Sequence, residues 1–465
     1  MSDKSLSALL ESWKGVLEVA PSGDVAVKDA RRLREKVMDE LARVAVFAEA
    51  EPERNRARDL IWEAARQTGI RSASIQALYD AMGRGEISGF TTPAINLRGM
   101  VYDSARAVAA AAREGSVGAV IFELARSEMR YTFQRPGEYA AVVLAACVRE
   151  GLDGPVFIQG DHYQVNPKKF AQGGEAREAE IKALKELISE AIAAGYGNID
   201  IDASTIVDLS RPTVKDQQRD NSAVAAELTA HARSRQQDGM TISIGGEIGE
   251  VGKKNSTPEE LRAYMDGFLE ELSRRAPGAK GPSKISIQTG TSHGGVPLPD
   301  GSIAKVKIDF DVLREISRIS REEYGMAGAV QHGASTLPAD AFDHFPKSEA
   351  CEVHLATDFQ NMMYEHAAFS RELKAGMYSW LEKNCADERQ SGETPEQFYY
   401  KTRKQAWGPF KKECWDLPES ARAQLRAALM GKFTFLFGKL GVLNTRDMVR
   451  ERVTAPETIR RIARA

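Results

Sequence analysis

Three of the seven histidines share one local setting. His162 stands in Gln159-Gly-Asp-His162, His293 in Ser292-His-Gly-Gly295 and His332 in Gln331-His-Gly333. Each follows a short apolar run, and each has glycine within two residues. Neutral imidazole is the commonest metal ligand among side chains. Three protein ligands around one ion, with a position left open, is the arrangement of catalytic zinc. A single histidine is more often an ordinary core or surface residue, and His231, His344 and His366, in helical or loop contexts, are read that way. The shared setting of the other three points to a common divalent ion. Carboxylates occupy similar places: Asp161 beside His162, Asp202 with Ser204 two residues on, and Glu247 in Gly245-Gly-Glu-Ile-Gly249. A carboxylate beside a metal can move a proton or orient a ligand histidine, and sequence alone does not separate the two roles.

Something must bring these residues to one place. From Ser88 onward, short apolar runs alternate with amphipathic helices. The runs fall at 93–97, 118–124, 155–159, 198–202, 240–245, 284–289, 329–331 and 350–355. Their shortness and β-branched content suit buried parallel strands. Between them, Ile181, Leu184, Ile188 and Ile192 form a helical stripe that Gly195 should cap. Thr257-Pro-Glu-Glu260 is a capping box with proline at the first helical position. Eight strand–helix alternations predict a (β/α)8 TIM barrel, whose strands all open at their C-terminal ends onto one face. The histidines follow candidate strands three, six and seven, so that face would gather them. An open doubly wound sheet is the rival, and no GxGxxG follows the first strand.

The last two strand ends carry a different signal. His332 is followed by Gly333-Ala-Ser335-Thr336, and strand eight by Ala356-Thr357-Asp358. In this fold the loops there are a common phosphate site, using backbone N–H groups and hydroxyls. Glycine at Gly294 would let backbone amides approach an anion closely.

Residues 1–87 read as an N-terminal helical extension without a strand-like run, and 361–465 as a C-terminal helical region packing on the barrel or a partner subunit. The net charge of −3 gives no reason to expect nucleic acid or an anionic membrane. Four scattered cysteines, without CxxC spacing, argue against a disulfide framework or cysteine-built zinc site. With no apolar run long enough for a signal peptide or a membrane span, the expectation is a soluble cytoplasmic protein.

In order and spacing, these motifs resemble the class II, metal-dependent fructose- and tagatose-bisphosphate aldolases. The resemblance spans roughly residues 88–440. It is carried by Thr92-Pro-Ala-Ile-Asn96, Gln159-Gly-Asp-His162, Ile201-Asp-Ala-Ser204, Gly246-Glu-Ile-Gly249, the two later histidine–glycine motifs, Glu352-Val-His-Leu-Ala-Thr357 and Phe437-Gly-Lys-Leu-Gly441. It implies cleavage or formation of the C3–C4 bond of a phosphorylated ketose, with a dihydroxyacetone-phosphate-type donor and an aldehyde. It implies Zn2+ or another divalent ion on His162, His293 and His332, with Glu247 in or beside the ligand set, and it allows a monovalent cation as well. Asp161 would be the proton-transfer residue. Asn96, Asp202, Ser204, Gly294, Gly333, Ser335, His354 and Thr357 would bind substrate and phosphate. A homodimer or homotetramer is implied.

The chain departs from the family pattern at three places. His354 stands where the family usually has asparagine. Residues 251–256 lack the family's acidic residue, which leaves a second proton-transfer group unassigned. Glu396 stands near where fructose-type members carry arginine. A substrate other than fructose 1,6-bisphosphate is therefore an open expectation. Two other readings stay in view: a non-catalytic sugar-phosphate-binding subunit, and another metalloenzyme such as a hydrolase on the same barrel, although this chain has no His-x-His motif.

Overall fold

The extension expected to be helix throughout contains three short strands. The computed structural model describes residues 5–249, 254–290 and 308–462, so His293, Gly294 and residues 251–253 lie outside the described residues. Strands β1 (Leu17–Val19) and β2 (Val25–Val27) form an antiparallel hairpin. A third, β3 (Ile70–Ala73), follows the helix Glu51–Gln67. Strands of three or four residues hold too few alternations to show a period of two, which is why the sequence pattern missed them.

The barrel strands are β4 (Thr92–Asn96), β5 (Ile121–Ala125), β6 (Gly154–Gln164), β7 (Asn198–Asp202), β8 (Ser243–Gly249), β9 (Lys284–Ile287), β10 (Ala329–Gln331) and β11 (Glu352–Leu355). Neighbours in sequence are neighbours in space, every pairing is parallel, and β11 returns to β4. Among the described residues these eight strands close a (β/α)8 TIM barrel with surrounding helices. β6 is long enough to serve two partners on one edge. Gly154 to Phe157 pair with β3, and Gln159 to Gln164 pair with β7.

Side chains alternate along each strand. Ile158, Ile199, Ile201, Ile244, Ile285 and Val353 are buried apolar residues. The residues between them are largely polar: Gln159, Asp200, Asp202, Glu247, Lys284 and Glu352. Several of these polar groups meet across the ring, so the interior is charged rather than filled with aliphatic layers. The apolar set faces the helices. Both helix caps read from sequence are present. Gly195 ends Gly174–Ala194 at φ +103°. Thr257 accepts from Glu260 N while Glu260 accepts from Thr257 N at 2.8 Å.

Gly197, just before β7, passes against the end of β3. A Cβ there would lie 2.2 Å from Ala73 O and 2.7 Å from Ser74 N, both backbone atoms. Gly197→Ala should therefore destabilise by about 1–3 kcal/mol, the usual cost of overpacking. Urea denaturation checks this, and an unchanged midpoint would mean β3 yields freely.

After β11 the chain is helical and packs back on the barrel. Thr91 N donates to Leu440 O at 2.9 Å, and Gly118 N to Thr445 Oγ1 at 3.0 Å. The segment after the helix Arg446–Arg452 reaches the N-terminal elements. Trp62 Nε1 donates to Thr458 O at 2.8 Å, the Arg460 guanidinium lies 4.0 Å from the Trp62 ring centroid, and Ile462 N donates to Gly23 O at 3.0 Å.

Candidate active site

Asp161 and His162 are adjacent in sequence, and a regular strand would send them to opposite faces. The β6–β7 ladder shifts register between Gly160 and Tyr163, and His162 takes φ +40°. This bulge re-aims the strand and lets both side chains face the same interior. The strand therefore runs past its expected end at 159, to Gln164.

The two nitrogens of His162 have different surroundings. Nδ1 lies 3.2 Å from Asp202 Oδ2 and 3.1 Å from Glu247 Oε2, while Nε2 lies 3.8 Å from Asp161 Oδ1. Asp202 is held in turn by Gln164 Nε2 at 2.6 Å and Ser204 Oγ at 2.7 Å. An imidazole whose second nitrogen is held by a carboxylate is the usual condition of a metal-bound histidine. His332, just past β10, has its ring centroid 4.2 Å from that of His162. Ligand atoms of Asp161, His162 and His332 all lie within 4.8 Å of one another. Two imidazoles and a carboxylate with outer carboxylates behind them fit a divalent ion of the zinc type.

The remaining expected residues surround this cluster. Asn96, at the end of β4, donates to Glu128 Oε2 at 2.7 Å and accepts from Arg98 Nε at 3.3 Å, while Arg98 pairs with Glu128 at 2.8 Å. Ser204 serves Asp202, and Glu247 serves His162. Gly333, at φ +69°, and the buried Ser335 follow β10. Thr357 opens the helix Thr357–Glu365 after the neighbouring β11. His354 lies deeper, with Nε2 2.6 Å from Glu352 Oε1 and Nδ1 3.1 Å from Glu123 Oε2.

Sequence reasoning missed the floor beneath the cluster. Lys284, 1% exposed, reaches Asp200 Oδ1 at 2.9 Å, Glu352 Oε1 at 2.5 Å and Gln159 Oε1 at 2.8 Å. Tyr79 donates to Glu352 Oε2, and Gln159 Nε2 donates to Glu123 Oε2 at 3.0 Å. The signal was there as single charged residues inside apolar runs, such as Glu123 in Ile-Phe-Glu-Leu.

The electrostatics set a pH dependence. Burial first, and the neighbouring Asp202 second, push Glu247 up to about 7. Burial pushes Glu123 up to about 7 against the pull of His354. Burial opposes charge on His162, but Asp161 and Glu247 outweigh it and hold the imidazole well above its ordinary value. Between about pH 4.3, the unfolded glutamate value, and about 7, the folded chain holds protons on Glu247 and Glu123 that the unfolded chain has released. Stability therefore falls as pH rises through that window. Protonated His162 adds a contribution of the same sign, full below about 6.5 and lost as pH climbs toward its raised folded value. Chelator-treated protein should be less stable to urea at pH 8 than at pH 5.5. Equal or greater stability at pH 8 would contradict these assignments.

No described helix is long and apolar enough to cross a membrane. Among solved structures, the chain is similar to a probable tagatose 6 phosphate kinase from Sinorhizobium meliloti (15% identity, 78% of this chain and 98% of that one, TM-score 0.52). It is also similar to a putative fructose-1,6-biphosphate aldolase from Coccidioides immitis (16% identity, 79% and 96%, TM-score 0.46). A third is the fructose-bisphosphate aldolase of Campylobacter jejuni (16% identity, 81% and 96%, TM-score 0.47). At 15% identity the first of these likenesses speaks for the fold alone. No curated protein matches the sequence. The family model for fructose-bisphosphate aldolase class-II matches residues 77–413, well over half of the chain and the whole of the cluster just described, and the chain belongs to that family.

Proposed function

We propose that this protein is a divalent-metal-dependent aldolase that cleaves and forms the C3–C4 bond of a phosphorylated ketose. The observation that carries the reading is the convergence of Asp161, His162 and His332 in a chain of this family. His162 and His332, with His293 as the proposed third ligand, hold the ion, and Zn2+ suits the donors. When bound, such an ion polarises the carbonyl and stabilises the negative charge left by bond cleavage. Asp161 takes the proton of the C4 hydroxyl during cleavage and returns it in synthesis. The C3–C4 electron pair stays with the three-carbon fragment, C4 leaves as the aldehyde, and C3 then takes a proton from solvent to complete the dihydroxyacetone-phosphate product. Asp202 and Glu247 fix the His162 ring through Nδ1. Gly333, Ser335 and Thr357, with Gly294, hold the phosphate, and Asn96 braces the rim through Glu128. A homodimer or homotetramer in the cytoplasm is the proposed working form.

The test is metal analysis of the purified protein, paired with dihydroxyacetone-phosphate release from a panel of ketose mono- and bisphosphates, with and without chelator. Chelator-sensitive release supports the reading and names the substrate. Absence of any bound metal overturns it. Both ring nitrogens of His354 face carboxylates, where the family usually has an amide, and this favours one rival: a sugar-phosphate-binding subunit without turnover. Tight binding of a ketose phosphate with no release would select that rival. His332→Ala should weaken metal binding by at least tenfold, the lower range even for outer-sphere changes. Full metal content in that variant, by elemental analysis after gel filtration, would remove His332 from the ligand set.

A further inference from the structure

The two ends of a ketose phosphate meet different surroundings at this barrel mouth. In the proposed function the phosphate sits beyond β10 and β11, and Asp161, near the end of β6, takes the C4 proton. The chain of the sugar past C4 must then lie outward of Asp161. Toward β7 and β8, Asp202 and Glu247 are already engaged with His162. On the other side Asp161 is in register with Ala125, the last residue of β5, and β5 is paired with β4 through Asn96 and Glu123. This leaves the β4–β5 rim for the distal end of the substrate.

That rim is built around one carboxylate. Glu128, 5% exposed, stands in the helix Arg126–Thr132 that follows β5. Its Oε1 lies 2.8 Å from Arg98 Nη2 and accepts from the Tyr131 hydroxyl at 3.3 Å. Its Oε2 accepts from Asn96 Nδ2 at 2.7 Å and from Ala125 N at 2.9 Å. Arg98 is the residue an anion would seek here, since a guanidinium fork suits phosphate and carboxylate alike. Glu128 already neutralises it. A phosphate brought to Arg98 would meet a buried carboxylate at close range, and such like-charge contacts are costly. A hydroxyl meets no such cost, because it can accept from Arg98 and donate to Glu128. Nearby cations are held too: Arg126 by Gln164 O and Glu180, and Lys411 by Phe133 O and Glu138. Lys404 lies over the Tyr131 ring, 6.0 Å from its centroid. Past Arg98 is a cavity lined also by Thr132, Gln134, Trp407 and Lys411, with room for a group about the size of one water molecule. Gln134 Oε1 is buried and has no hydrogen-bond partner among the described residues. A carbonyl oxygen accepts from a hydroxyl and repels a phosphate.

We infer that the substrate is a ketose 1-phosphate whose distal end is uncharged and hydroxylated, and that Glu128 is the specificity-determining residue that turns away a second phosphate. The inference rests on the proposed aldolase reading and names its substrate class. The test measures kcat/KM for dihydroxyacetone-phosphate release by metal-loaded, full-length protein. The probes are fructose, tagatose, sorbose and psicose, each as the 1-phosphate and as the 1,6-bisphosphate. The best 1-phosphate should exceed its own bisphosphate by at least about tenfold, the discrimination a like-charge contact readily gives. Glu128→Gln keeps the shape and removes the charge. It should narrow that ratio by about tenfold, chiefly through a lower KM for the bisphosphate. A residue that only braced the rim would change both substrates alike, and an unchanged ratio in Glu128→Gln overturns its role. Equal or faster release from a bisphosphate by the unaltered protein overturns the inference, leaves the aldolase reading standing and gives the second phosphate to Lys404. No release from any probe with metal bound overturns both. Should Glu128→Gln fail to fold, the ratio in the unaltered protein decides by itself.

Discussion

An Asp161→Asn variant is expected to lose on the order of a thousandfold in kcat, within the range of general acid–base catalysis, while still binding an ion at His162 and His332. The substitution keeps side-chain volume and an oxygen donor, and it removes the ability to accept a proton. The bulge that places residue 161 lies in the backbone, between Gly160 and Tyr163, and the substitution leaves it in place. His162 keeps its hold on Asp202 and Glu247, so the imidazole stays oriented. Steady-state cleavage kinetics on the ion-loaded variant, with elemental analysis of the same sample, separate the two roles. Turnover within tenfold of the parent would remove Asp161 from proton transfer. Loss of the ion together with activity would make it chiefly a ligand.

Lys284→Met should cost about 3–5 kcal/mol, the penalty for removing one partner from a buried charge pair. Methionine nearly matches the length of lysine, so cavity formation contributes little. What remains is two carboxylates, Asp200 and Glu352, in a barrel interior with no ammonium between them. Even beside Lys284, burial lifts Asp200 to about 6. Burial disfavours charge on Lys284 too, yet Asp200 and Glu352 hold it well above its usual value. The lysine contribution is therefore full at neutral pH and is lost only as pH rises past the unfolded lysine value of about 10.4. Adding Glu352→Gln to Lys284→Met should recover part of the loss, because it removes one orphaned charge. Urea midpoints of the two single variants and the double variant give the coupling. Strict additivity would mean that the pair does not act as a unit.

Much of this architecture could be read from spacing. The eight candidate strands are the eight barrel strands, since each is a short run bounded by helical periodicity. The ends of two strands were not legible, for one reason. Backbone irregularity leaves no periodic trace, so β6 seemed to stop before Asp161 and β8 at Gly245. In β8 the glycines belong inside the strand. A Cβ at Gly245 would lie 2.2 Å from Asp200 Oδ1 and 2.9 Å from Lys284 Cε, so the crossing of a buried ion pair excludes any side chain there.

The site divides in the same way. Asp161, His162 and His332 were legible because residue type, neighbouring glycine and strand position agreed. Glu123, Lys284 and Glu352 were not. Each is one charged residue in an apolar run, and its partner lies two or more strands away around the ring. Only the inward curvature of the sheet, which brings alternate strands β7, β9 and β11 together, makes Lys284 the neighbour of Glu352 and Asp200. His354 was noticed as a departure from the family pattern; Glu352 lies two residues away on its own strand, but its approach to Glu123 on β5 follows from the ring.

The contact between Trp62 and Thr458 joins residues 396 positions apart, and Ile462 meets Gly23 from still farther along the chain. On a ribosome, the helix Glu51–Gln67 emerges long before the segment that covers Trp62. β3 likewise waits for β6 before it has a partner. The early part of the chain must therefore remain incomplete until nearly all of the barrel has been made. Contacts of such sequence separation slow folding, because the loop entropy is lost before they form. During that interval Trp62 and the open edge of β3 are the surfaces through which chaperones, or other unfinished copies of the chain, would meet the nascent protein.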